Sequence, residues 1–90
     1  MLQEDSSLVN VQDFTSGYTV LHWAAKHGKV ELVKHLAGNF EINVNIRSHG
    51  GYTPLHLACQ FGHGEVFDTL VKVYEADPDL RDNAGKKPMQ

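Results

Sequence analysis

A single cysteine, Cys59, leaves no partner for an internal disulfide and no set of thiolates for a structural zinc site. No run of 18 apolar residues occurs, so no segment reads as a membrane-spanning helix. The residues after Met1, Leu-Gln-Glu-Asp-Ser-Ser, lack the basic and then apolar pattern of a secretory leader. With the lone thiol, this points to a reducing, intracellular setting, cytoplasmic or nuclear. Positive charge is also scarce. Eight Lys and Arg stand against eleven Asp and Glu, a formal net charge of −3, with no basic stripe to neutralise phosphates. Arg81, Lys86 and Lys87 form a small basic spot that reads as a solvated loop tip, so no nucleic-acid partner is expected. Gly50-Gly51 lacks the lysine and hydroxyl that follow a phosphate-cradling glycine loop.

What the chain does have is a period. Gly17, Gly51 and Gly85 are spaced 34 residues apart, and Leu2, Leu36 and Leu70 each fall 15 residues before one of them. Leu21 to Leu32 aligns with Leu55 to Val66 without a gap, while the loop from Val9-Asn10 to Gly17 is one residue longer than that from Val44-Asn45 to Gly51. Self-similarity at this spacing means one supersecondary unit stacked on copies of itself.

A 34-residue period fits tetratricopeptide and ankyrin units alike, so content decides. Thr53-Pro54-Leu55-His56-Leu57-Ala58 carries the Thr-Pro-Leu-His-x-Ala signature in full, and Thr19-Val20-Leu21-His22-Trp23-Ala24 carries it with Val for Pro. In phase with both stand Gly28/Gly62 and Glu31/Glu65. The chain therefore resembles the ankyrin-repeat family over nearly its whole length. Leu21 to Gly28, Arg47 to Tyr52 and Asp79 to Lys87 look like the ankyrin domain of the sosondowah proteins. The resemblance implies an all-α repeat solenoid of helix-turn-helix pairs joined by hairpin-like loops. Residues 1–13 read as the tail of a preceding repeat, 14–47 and 48–81 as repeats, and 82–90 as the start of another. On this reading the chain is a piece of a longer array.

The local chemistry agrees. Thr19 and Thr53 are N-caps, and Pro54 is tolerated at a first helical position. Gly28 and Gly62 supply the left-handed residue at a helix end. A second helix follows in each repeat, with apolar stripes Val30, Leu32, Val33, Leu36 and Val66, Phe67, Leu70, Val71. Phe14 stands three residues before Gly17, where the pattern that gives Asp82 before Gly85 calls for Asp, so a less regular first loop is expected.

Six histidines, His22, His27, His35, His49, His56 and His63, raise a metal question. None shows the paired helical spacing of a zinc enzyme, and no metal or cofactor is expected. His22 and His56 occupy the motif position, where the resemblance implies a hydrogen bond tying neighbouring repeats together; the other four are expected to face solvent. Cys59 aligns with Ala25 and is expected in the interior rather than as a nucleophile. Trp23 aligns with Leu57 and is expected to pack against the neighbouring helix, leaving Tyr18, Tyr52 and Phe61 as the exposed aromatics.

The resulting expectation is a non-enzymatic protein-interaction module. In the family, partners lie on the concave face made by loop tips and first helices. Carried over, that face comprises Thr15, Ser16, Tyr18, Lys26 and His27, then Ser48, His49, Tyr52, Gln60 and Phe61, and finally Asn83 and Lys86. The partner would be a protein or peptide, with self-association through uncapped repeat ends as a further possibility. The alternative is a structural spacer or regulatory segment of a longer array that binds nothing itself.

Overall fold

The computed structural model describes residues 11–39 and 42–89. Most of the tail expected at 1–13 lies outside the described residues. Among them are four helices: α1 (Val20–Lys26), α2 (Val30–Asn39), α3 (Pro54–Gln60) and α4 (Gly64–Lys72), with no strand. First helix packs on first helix (α1 on α3) and second on second (α2 on α4), while α1 pairs with α2 and α3 with α4. This is the expected solenoid of two helix pairs.

Each first helix is opened by a reciprocal cap. The Thr19 hydroxyl accepts from the His22 backbone N–H, and the His22 ring accepts from the Thr19 N–H; Thr53 and His56 repeat this in α3. The cap forms in α1 although Val20 stands where α3 has Pro54, so the threonine and histidine suffice. Each first helix also closes in the same way. Gly28 (φ +69°) and Gly62 (φ +76°) adopt the left-handed conformation. Their N–H groups reach the carbonyls of Ala25 and Cys59, and the next residues, Lys29 and His63, reach those of Ala24 and Ala58. This pair of hydrogen bonds is the Schellman arrangement, which satisfies carbonyls left open at a helix end.

The core is narrow and made of small and branched aliphatics: Leu21, Ala24, Ala25, Val33 and Leu36 from one repeat, Leu55, Ala58, Val66, Leu70 and Ala76 from the next. Alanines on the first helices let the four helices approach closely, and each fully buried leucine contributes roughly 1.5–3 kcal/mol. Two expected interior residues fall short of it. Leu32 is exposed, at the edge of the α2 stripe. Cys59 is half-buried where Ala25 is fully buried, its Sγ lying 3.6 Å from Met89 Sδ, and burial pushes its thiol pKa up.

Candidate functional site

After each helix pair, segments 43–52 and 77–86 form the expected irregular loops, and hydrogen bonds step from each loop to the next. His49 N–H donates to Ser16 O at 3.0 Å, and Asn83 N–H donates to Gly50 O at 3.0 Å. The motif histidines run beneath this ladder. With Nδ1 accepting from the threonine N–H, the proton sits on Nε2, which donates to the next loop's carbonyl: His22 to Tyr52 O and His56 to Lys86 O, both at 2.8 Å. Each ring therefore caps its own helix and ties down the following loop, as expected. Burial holds the His22 pKa below its ordinary value, against the opposing pull of its bonds to backbone.

Two histidines expected in solvent also bond to the neighbouring repeat, His49 while exposed as expected and His63 half-buried. His49 Nδ1 lies 3.1 Å from Thr15 O, and His63 Nε2 lies 3.0 Å from Lys26 O, a carbonyl at the end of α1. His63 stands at the N-cap of α4 without making a side-chain cap, because its ring is turned toward the neighbouring repeat. A further rung missed in the sequence comes from Gln12, whose amide donates to Arg47 O at 2.8 Å, and from Arg47, whose guanidinium donates to Arg81 O. The signal for it was the near-34-residue spacing of positions 12, 47 and 81.

The first loop is less regular, as expected, but only by one residue: it keeps the closing bond of the other two. Asp13 N–H donates to Tyr18 O, as Ser48 N–H does to Tyr52 O and Asp82 N–H to Lys86 O. Asp13 is therefore the counterpart of Ser48 and Asp82. The extra residue of the longer loop displaces it by one, and Phe14, 95% exposed, is that insertion. The Asp13 carboxylate accepts from Ser16 N–H and from the Thr15 and Ser16 hydroxyls, which hold its pKa down to about 2. Asp82 is lowered too, chiefly by the Lys86 N–H.

These bonds sort the twelve residues carried over to the partner face. Ser48 is only 7% exposed and its Oγ accepts from Tyr52 N–H, so it shapes the loop rather than presenting to solvent. The Thr15 and Ser16 hydroxyls face Asp13, and the Asn83 amide donates to His49 O at 2.9 Å. Tyr18 and Tyr52 are half-buried, their rings lying on His22 (5.3 Å, stacked) and on His56 (5.9 Å, edge-on). His27, Gln60, Phe61 and the Lys86 side chain are exposed, and Lys26 is half-exposed.

Trp23 corrects the sequence reading most. It is 41% exposed, whereas Leu57 at the equivalent position is buried. The indole lies along the surface of its own helix: edge-on to Tyr18 at 5.2 Å, stacked on His27 at 6.0 Å, with Lys26 Nζ 4.9 Å from its ring. Lys26 and His27 stand three and four residues on, the spacing at which helix side chains meet. That spacing was the available signal, and alignment with a small leucine obscured it. Lys26 Nζ also lies 5.5 Å from the Phe61 ring, so one ammonium bridges aromatic rings of two repeats.

Among the described residues no group of three or more His, Cys, Asp or Glu is placed to hold a metal, and no helix is long and apolar enough to cross a membrane. The helix pairs, left-handed glycines and histidine-tied loops are those of an ankyrin stack. The family model for "Ankyrin repeats (3 copies)" matches residues 2–82, and the chain belongs to that family, whose repeats are generally non-enzymatic protein-interaction modules. Its relatives include the ankyrin repeat domain-containing proteins SOWAHC of Mus musculus, 45% identical over 55 residues, and SOWAHB of Homo sapiens, 44% identical over 50. These alignments cover 56% and 50% of this chain but only 11% and 6% of the relatives, so the chain matches a small part of those proteins. Among solved structures, a chain in the crystal structure of the yeast ribosomal protein Rps3 in complex with its chaperone Yar1 superimposes with a TM-score of 0.86. It is 29% identical, and the match covers 93% of this chain and 63% of that one.

Proposed function

We propose that this chain is a binding module that takes a protein or peptide partner on the face formed by its loop tips and first-helix ends. The observation that carries this reading is the exposure of Trp23 on α1 and of Phe61 (45%) at the end of α3, on helices whose opposite face packs into the core through Leu21, Ala24, Leu55 and Ala58. Large apolar rings held in solvent beside polar groups are the composition of an interaction hot spot. Lys26, His27 and Gln60 stand beside the rings. Tyr18 borders Trp23 edge-on, and on this reading Tyr52, His49, Asn83, Lys86, Thr15 and Ser16 extend the face along the loops. The yeast complex of a chaperone with a ribosomal protein is a structural neighbour in which proteins associate, which supports the class of partner and does not identify it. The loops, bonded to one another, serve as a preformed frame for this face.

Partner capture by the intact chain and by Tyr52→Ala and Phe61→Ala variants tests the reading, with thermal melting as the control for folding. Loss of partners from folded Phe61→Ala supports it. Retention of every partner by both folded variants overturns it in favour of a spacer segment. Sedimentation of the same samples distinguishes a foreign partner from a second copy of the chain docking on a repeat end.

A further inference from the structure

The Trp23, Lys26 and Phe61 cluster specifies the chemistry of that partner, and the argument rests on the reading just given. Aromatic rings grouped on a surface ordinarily attract cations. Here the chain fills that role itself: Lys26 Nζ lies 4.9 Å from the Trp23 ring and 5.5 Å from that of Phe61. A lysine, methyl-lysine or arginine from a partner would bring a second positive charge against the first. Meanwhile no ion pair joins Lys26 to a carboxylate among the described residues. Its ammonium is held by the rings of two different repeats, so part of the entropy of immobilising a lysine is already lost before a partner arrives. Gln60 occupies the position in the second repeat that Lys26 occupies in the first, and His27 stacks on Trp23, so polar side chains accompany the charged centre.

We infer that the partner is an acidic segment that places an Asp or Glu carboxylate on Lys26 Nζ and an adjacent apolar side chain against the exposed rings of Trp23 and Phe61. The carboxylate gains a charge-assisted hydrogen bond, and the apolar contact dehydrates it. Charge complementarity chooses the acidic residue, and the exposed rings choose its apolar neighbour.

The test is selection of binders from a random peptide display library against the full 90-residue chain. The recovered peptides are then synthesised and titrated while following emission of Trp23, the sole tryptophan. The expected binders are enriched in Asp or Glu next to a large apolar residue and perturb Trp23 emission. Folded Lys26→Gln weakens them by about ten-fold or more. Replacing the peptide's acidic residue by its amide gives a similar loss, which is not repeated in the Lys26→Gln background. Lys26→Arg, which keeps the charge, retains most of the affinity. Binders without acidic enrichment, basic or methyl-lysine binders, or affinity unchanged in Lys26→Gln would overturn the inference. If such binders are nevertheless lost in Phe61→Ala, the binding face stands and only its acidic preference falls. If Phe61→Ala leaves them intact, or no binder is recovered, both readings fall.

Discussion

The two complete helix pairs share an interior and differ on their surface. Inside, α1 and α3 superimpose residue for residue: threonine cap, histidine tie to the next loop, paired carbonyl bonds at the glycine end. Outside, the first presents Trp23, Lys26 and His27 where the second has a buried Leu57 and the exposed Gln60 and Phe61. Stacking explains the contrast. An inter-repeat hydrogen bond forms only if both units keep the same geometry, so interior positions are bound to the period. A side chain pointing into solvent has no partner in the next unit and can vary. Recognition therefore resides in the residues that break the repeat.

The largest effect is expected from removing a motif ring. His22→Ala and His56→Ala each leave a buried threonine N–H and a loop carbonyl without partners, at a cost of about 1–3 kcal/mol per orphaned group. Urea unfolding checks this, and equal losses at the two sites would confirm that the interiors are equivalent. His22 also carries a pH signature. Its pKa is lowered in the fold, so the unfolded chain binds more protons and stability rises with pH. The contribution of its neutral ring is present above about pH 6.5 and is lost as pH falls through the folded value. In His22→Gln, the drop in melting temperature between pH 7.5 and pH 5 should be smaller than in the parent.

A smaller effect separates the repeats at their glycines. Gly28→Ala and Gly62→Ala share the left-handed strain, roughly 1–2 kcal/mol. A Cβ at Gly28 would also come within 2.6 Å of the His63 ring, whereas at Gly62 it meets nothing within 4 Å. Thermal melting should rank Gly28→Ala as the more destabilised. Equal melting would mean that the His63 ring moves aside and that its bond to Lys26 O is dispensable.

The smallest effect concerns the loops. Asp13 has a folded pKa of about 2, so its contribution is present above about pH 3.8 and is lost as pH falls toward 2. Asp13→Asn should lower stability slightly at pH 7 and leave it unchanged near pH 2. The carboxylate is fully exposed, so only a small change is expected. Ser48 offers the complementary probe, since it holds the equivalent place in the second loop without a charge.

The sequence alone determined the repeat, the two ends of each first helix and the capping threonines, while the tying role of His22 and His56 was what the family resemblance implied. The repeat, the helix ends and the caps depend on residues a few positions apart or on the 34-residue register, and both are printed in the chain. Asp13 is legible on the same terms, because a first loop one residue longer than the second displaces the turn residue by one position. Only the tertiary structure decided which polar residues are engaged between repeats and which face solvent. His49 and His63 read as ordinary surface histidines until the preceding repeat is placed beside them, since their acceptors lie 34 and 37 residues away. Trp23 was misplaced for the opposite reason. Alignment with Leu57 fixes its backbone position but not where a much larger ring can lie, and that was settled by its neighbours Tyr18, Lys26 and His27 on the surface of α1.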